Sequence, residues 1–235
     1  MGKVYLIGAG PGAADLITVR AARLLSTADV VLHDALVEPA MLDYAPGDAN
    51  FIAVGKRSGQ RSVAQHLISK LLVDAAREHD VVVRLKGGDP MLFGRGDEEM
   101  RALEAAGVEY EIVPGITAAL AAAVTLRRSL TLRGVARSVA LVTHSPAADT
   151  TEIREHANAD SLVFYMGRDS APEIARGLIE AGRAGATPVA IVEACSTARE
   201  RTLALTLAAL ADGEAQTWFD PTQPSLLMIG DAFAL

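Results

Sequence analysis

At 235 residues, half of them apolar and only 4% aromatic, the chain can fill one large or two small cores with Val, Leu, Ile and Ala. Its 29 acidic residues against 22 basic ones give a net charge of −7, which argues against a general nucleic-acid or anionic-membrane surface. One cysteine, Cys195, excludes an internal disulfide framework and suits a reducing compartment.

The opening residues carry neither a secretory leader nor a myristoylation pattern, since position 6 is Leu rather than Ser or Thr. The longest charge-free apolar stretch, 112–126, is interrupted by Pro114-Gly115 and is too short to span a bilayer. A cytoplasmic protein with no membrane partner is therefore expected. Strand-length apolar runs lie at 4–7, 30–32, 51–54, 81–85 and 110–113, with helical patterns at 16–26, 63–77 and 97–106 between them. This βαβ alternation implies a largely parallel sheet covered on both faces. A second set follows, with strands at 138–142, 162–166, 189–192 and 226–229 and helices at 118–126, 172–181 and 203–211. The sequence thus divides into an N-terminal α/β domain, 1–115, and a C-terminal α/β domain, 116–235.

The most informative stretch is Leu85-Lys86-Gly87-Gly88-Asp89-Pro90-Met91-Leu92-Phe93-Gly94-Arg95-Gly96, where a strand runs into glycines, an acid and a proline. Glycines there let backbone approach a ligand closely, at the sheet edge where open α/β sheets bind. Gly8-Ala9-Gly10-Pro11-Gly12-Ala13 satisfies the dinucleotide pattern G-x-G-x-x-A after a strand, with Asp34 as a ribose-binding acid, so a nicotinamide-dependent oxidoreductase competes. Against it, Pro11 has no N–H where a pyrophosphate needs donors. Asp34 and Lys56 each follow a strand and are expected at the same edge as the glycine turns; Lys56 lacks the context of a phosphate-loop lysine.

Arg95 and Glu98, at i and i+3, form either a helix-face ion pair or part of a site. Arg127, Arg128, Arg133 and Arg137 follow the Ala-rich helix, and guanidinium forks hold carboxylates, so this cluster points to a polycarboxylate or to an exposed loop. The five histidines lack ligand spacing and no G-x-S-x-G elbow is present, so neither metal nor serine-hydrolase chemistry has support.

Taken together the motifs resemble the tetrapyrrole methylases, and within them the branch acting on uroporphyrinogen III. The resemblance covers essentially the whole chain. It rests on 4–12, Asp34-Ala35-Leu36-Val37, Val54-Gly55-Lys56-Arg57, 83–96, Val113-Pro114-Gly115-Ile116-Thr117-Ala118, Val163-Phe164-Tyr165-Met166-Gly167 and Pro188-Val189-Ala190. It implies two α/β domains with mostly parallel or mixed sheets and an active site in the cleft between them, a homodimer, and S-adenosyl-L-methionine as methyl donor, leaving S-adenosyl-L-homocysteine. By the same resemblance the donor touches Pro11, Gly87, Gly88, Asp89, Leu92, Thr117, Ala118, Met166, Cys195 and Ser225. Asp34 and Lys56 are implied in proton transfer, with Arg95, Glu98 and Arg133 around a small-molecule tetrapyrrole.

The implied reaction is two successive C-methylations giving precorrin-2, the entry to sirohaem and cobalamin. Methylation of a later precorrin and a non-catalytic tetrapyrrole carrier are the further alternatives. This chain has Ala35, Leu132 and Asp97 where the family usually has Arg, His and Gly, and Ala194-Cys195-Ser196-Thr197 at the usual small-residue site near the donor.

Overall fold

The computed structural model describes residues 1–55, 65–144 and 151–234. The chain divides into two compact units, Met1–Thr117 and Ala118–Leu235.

In the first unit, β1 (Lys3–Gly8), β2 (Val30–His33), β3 (Asn50–Ala53), β4 (Val81–Lys86) and β5 (Tyr110–Val113) form one sheet in the order β3-β2-β4-β1-β5. All four ladders are parallel. Helices α1 (Val19–Leu25), α2 (Gln65–Glu78) and α3 (Gly96–Ala105) connect them. The period-2 alternation of the strands decides the layering. Val4, Leu6, Val30, Leu32 and Val82 pack with Leu72 and Ala76 of α2 and Leu103 of α3. Ile7, Val31, Val83 and Leu85 pack instead with Ala21 and Leu25 of α1. Both faces are covered, as a parallel sheet requires. The expected helix at 16–26 is split: residues Ala14–Leu16 make a 3-10 turn, and α1 begins at Val19 because Thr18 caps it, its hydroxyl accepting from the Ala21 N–H at 3.2 Å. Residues 63 and 64 of the expected second helix, and Lys56, lie outside the described residues.

The second unit holds α4 (Ala118–Leu126), β6 (Val139–Thr143), α5 (Thr151–His156), β7 (Ser161–Tyr165), α6 (Ala171–Glu180), β8 (Pro188–Glu193), β9 (Arg201–Thr206), α7 (Leu207–Ala211) and β10 (Ser225–Ile229). Its sheet runs β6-β7-β10-β8-β9. β6 and β7 are parallel, and the other three ladders are antiparallel. Leu162 and Phe164 face a core shared with α6 and α7, while Val163, Ala190, Val192 and Met228 face Ala119, Ala122 and Leu126 of α4.

One sequence expectation is corrected here. Residues 203–206 are strand, not the start of a helix, and only Leu207–Ala211 is helical. The run Thr-Leu-Ala-Leu-Thr alternates, and Leu203 and Leu205 pack on the core while Ala204 and Thr206 are exposed. Pairing with β8 outweighs the helix propensity of Leu and Ala. No helix among the described residues is long and apolar enough to cross a membrane.

Candidate active site

Within the first unit, the loops after β1 and β4 meet at the C-terminal edge of the sheet, where they join two neighbouring strands. They are tied by an antiparallel bridge: Gly10 N–H donates to Gly88 O at 3.1 Å and Gly88 N–H to Gly10 O at 2.7 Å. Ala9 N–H donates to Lys86 O at 2.7 Å. These donors are therefore committed to the protein itself, and α1 starts only at Val19. A pyrophosphate cradle needs free N–H groups at a helix start, so this turn is not built as one.

Gly8, Gly88 and Gly115 are packed backbone against backbone. A Cβ on Gly8 would stand 2.6 Å from Gly115 Cα and 2.7 Å from Gly88 O. The Asp89 carboxylate fixes the same loop, since Oδ2 accepts from Gly115 N–H at 2.9 Å and Oδ1 from Met91 N–H at 2.8 Å. Leu92 N–H in turn donates to Asp89 O. Pro11, Gly87, Gly88, Asp89, Leu92 and Thr117 thus belong to one sheet edge of the first unit. Asp34, at the end of β2, reaches it too, its N–H donating to Leu85 O at 3.2 Å.

Beneath this edge lies a charge network that the sequence reading missed. Arg84 and Lys86 point to the same sheet face as Val82, toward α3, and both are buried with Glu99. Arg84 Nε donates to Glu99 Oε1 at 3.0 Å, and Lys86 Nζ to Glu99 Oε2 at 2.9 Å. Arg84 Nη2 reaches Asp34 Oδ1 at 2.5 Å. Burial, and then the neighbouring Arg84 charge, pull the Lys86 ammonium below the ordinary lysine value. The signal in the sequence was two cations two residues apart in a strand buried on both faces, with an acid opening the next helix.

Within the second unit, strand register gathers the other candidates. Leu226 of β10 pairs with Tyr165 of β7, and Ser225 pairs with Glu193 of β8. Met166, Ser225 and the Ala194-Cys195 turn therefore lie at one edge of the sheet, on three adjacent strands. Tyr165 adds the start of α4, for its hydroxyl accepts from Ala119 N–H at 3.0 Å, one residue after Ala118. Tyr165 was not singled out from the sequence; a tyrosine closing an apolar strand, whose hydroxyl needs a partner, was the available signal.

Three non-glycine residues here, Met166, Ala194 and Ser196, have φ of 55°, 49° and 57°. Such left-handed residues concentrate at functional sites. The Ser225 hydroxyl is buried with no hydrogen-bond partner among the described residues, a state that a polar ligand would relieve. Cys195 is buried and its thiol is pushed up to about 11, chiefly by desolvation, so at neutral pH it is an uncharged lining group rather than a nucleophile.

The remaining candidates are more exposed. Arg95, itself left-handed at φ 55°, precedes α3 and holds Glu98 through both carboxylate oxygens, at 2.6 and 2.8 Å. Arg133 lies at the tip of the exposed turn closed by the Leu132–Ala136 bridge. Arg128 is committed to structure, its Nε donating to Ala234 O at 2.7 Å.

Residues 3–211 match the family model for tetrapyrrole (corrin/porphyrin) methylases. The siroheme synthase of Psychrobacter cryohalolentis is 46% identical over 238 residues, covering the whole of this chain and 45% of that protein. That of Pseudomonas putida is 46% identical over 237 residues, covering 51% of its length. The chain thus spans about half the length of the curated relatives it matches.

Among solved structures, the native form of uroporphyrin III C-methyl transferase from Thermus thermophilus is 39% identical, with a TM-score of 0.84 over 98% of both chains. The same enzyme complexed with S-adenosyl homocysteine is 40% identical, with a TM-score of 0.85 over 98% of this chain and 93% of that one. A cobalt precorrin-4 methyltransferase is 28% identical, at a TM-score of 0.84 over 99% of this chain and 96% of that one. With this fold, these loops and these matches in hand, the chain belongs to the tetrapyrrole (corrin/porphyrin) methylase family.

Proposed function

We propose that the chain is an S-adenosylmethionine-dependent C-methyltransferase that converts uroporphyrinogen III to precorrin-2 by two successive methylations. The observation that carries this reading is end-to-end likeness, in sequence and fold, to a uroporphyrin III C-methyl transferase that has been crystallised with S-adenosyl homocysteine. The donor site is proposed to draw on Pro11, Gly87, Gly88, Asp89, Leu92 and Thr117 of the first unit. Ala118, Met166, Cys195 and Ser225 of the second unit are proposed donor contacts as well. The buried Ser225 hydroxyl, without a partner among the described residues, fits a polar ligand there. Since both Asp89 oxygens already accept loop N–H groups, that residue serves by holding Met91 and Gly115 in place.

The bound donor supplies an activated methyl on a sulfonium. The protein's own task is to align an electron-rich pyrrole carbon with it and to exclude water. A proton then leaves the methylated ring, and Asp34 and Lys56 are the proposed acceptors. Arg95, Glu98 and Arg133 are proposed to orient the carboxylate-bearing ring, guanidinium forks being suited to carboxylates. A cytoplasmic homodimer is the proposed working form.

Anaerobic incubation with uroporphyrinogen III and S-adenosylmethionine, followed by mass spectrometry, tests the reading. A ring carrying two added methyl groups is expected. Unchanged uroporphyrinogen III, with a later precorrin methylated in its stead, overturns it.

A further inference from the structure

Asp34 stands at the shallow end of a chain of charges whose deep end is closed to water. The side chains of Arg84, Lys86 and Glu99 are 3%, 2% and 0% exposed, whereas that of Asp34 is 28% exposed. Glu99 is held by both cations and by Gln65, whose amide Nε2 donates to Oε1 at 3.3 Å. Arg84 is held on a third side, Nη1 donating to Leu85 O at 3.2 Å. Two cations and two carboxylates balance, but apolar side chains of similar volume would fill this layer without desolvating any charge.

The planar fork explains why the hub is arginine. Its Nε, Nη1 and Nη2 point to three different acceptors in one plane, which the single ammonium of a lysine cannot do. Among the described residues, its one partner with access to solvent is the Asp34 side chain, at 2.5 Å.

We propose that Arg84 is a positioning residue that fixes the Asp34 carboxylate for proton transfer, with Glu99 and Lys86 as the anchor that fixes Arg84. This rests on the reading of Asp34 given above. Deep-end charges remain paired when Arg84 is replaced, because Glu99 keeps Lys86, so Arg84→Lys and Arg84→Gln are expected to fold.

The experiment compares wild type, Arg84→Lys, Asp34→Asn and the double variant, with uroporphyrinogen III as substrate. Arg84→Lys should lower kcat on the order of 10- to 100-fold, the scale of a misplaced reacting group. KM, and affinity for S-adenosylhomocysteine by calorimetry, should stay within about twofold, since only a step after binding is affected. The double variant should be no slower than Asp34→Asn alone. An unchanged kcat in Arg84→Lys, losses that multiply in the double variant, or a parallel fall in S-adenosylhomocysteine affinity would each overturn the proposal.

A second measurement needs no turnover. In the nitrogen-15 NMR spectrum of the substrate-free protein, the Arg84 Nη resonances should be distinct and should shift in Asp34→Asn. Resonances averaged by free rotation, or unmoved by Asp34→Asn, would sink the positioning role. If wild type leaves uroporphyrinogen III unmethylated, the functional reading fails, and the NMR result still decides the Arg84–Asp34 coupling.

Discussion

Gly8 and Gly115, at the ends of the neighbouring strands β1 and β5, meet through bare backbone: a Cβ on Gly115 would fall 2.8 Å from Gly8 Cα and 2.2 Å from Gly88 O. No side chain fits, and the carbonyl in the way is itself fixed, since Gly88 is bridged to Gly10. Gly115→Ala should therefore destabilise the protein by about 1–3 kcal/mol, the usual penalty for overpacking. Gly47, with nothing within 4 Å of its added Cβ, is the control; Gly47→Ala should be neutral or stabilising by up to about 1 kcal/mol. Urea denaturation midpoints read both.

Tyr165→Phe removes the acceptor of the Ala119 N–H, a group in the first turn of α4 at a fully buried residue. An unsatisfied buried donor costs about 1–3 kcal/mol, so a fall of that size in unfolding free energy is expected. Because the same bond ties the start of α4 to the Met166 turn, affinity for S-adenosylhomocysteine should fall as well. Calorimetry showing unaltered affinity would separate the stability role from the site.

Asp160 fastens the start of β6. Its Oδ2 accepts from the N–H groups of Arg137 and Ser138 at 2.8 and 2.9 Å and from the Ser138 hydroxyl at 2.8 Å. These bonds, led by the Arg137 N–H, hold the carboxyl below its usual range. A depressed folded-state value means that the stabilisation is fully present above the unfolded value of about 3.9 and is lost as pH falls through the lower, folded one. Asp160→Asn should thus be less stable than wild type at neutral pH, with the gap closing in acid. Denaturation midpoints measured from pH 7 downward would show it.

One edge of the Arg95 fork holds Glu98, and the Glu98 carboxyl is held below its usual range, chiefly by that hydrogen bonding. Glu98 takes the Nε–Nη2 edge of the guanidinium and so aims its Nη1 edge, which a substrate carboxylate can use. Arg95→Ala should raise KM for uroporphyrinogen III with S-adenosylhomocysteine affinity retained, and Glu98→Gln, which loosens the clamp that orients the guanidinium, should raise KM by less. Steady-state kinetics against substrate concentration decide both.

Much of the fold was legible because its signals are periodic. The strand at 110–113 and the helix at 118–126 were read to the residue, and the other strands the sequence predicted to within a residue or so. The failure at 203–206 came from Leu and Ala, whose helix propensity hides a short alternation that only pairing with β8 reveals. Asp34, Gly87 and Gly88 were expected at one sheet edge from their positions after strands, and they lie there.

What no local pattern could carry was long-range partnering. Arg84 with Glu99, and Tyr165 with Ala119, are 15 and 46 residues apart. Their meeting depends on sheet order, which sequence periodicity does not specify. The Arg95–Glu98 pair was visible at its i, i+3 spacing, but not that it closes into a bidentate clamp.

The order β3-β2-β4-β1-β5 has a consequence for synthesis on the ribosome. β1 is made first, yet both of its neighbours are late, β4 beginning at Val81 and β5 at Tyr110. Until the nascent chain has delivered them, an apolar ribbon of Val4, Leu6 and Ile7 has no ladder to join and is exposed to aggregation and to chaperones. The first unit therefore cannot assemble its sheet before β4 emerges, and β1 gains its second neighbour only with β5.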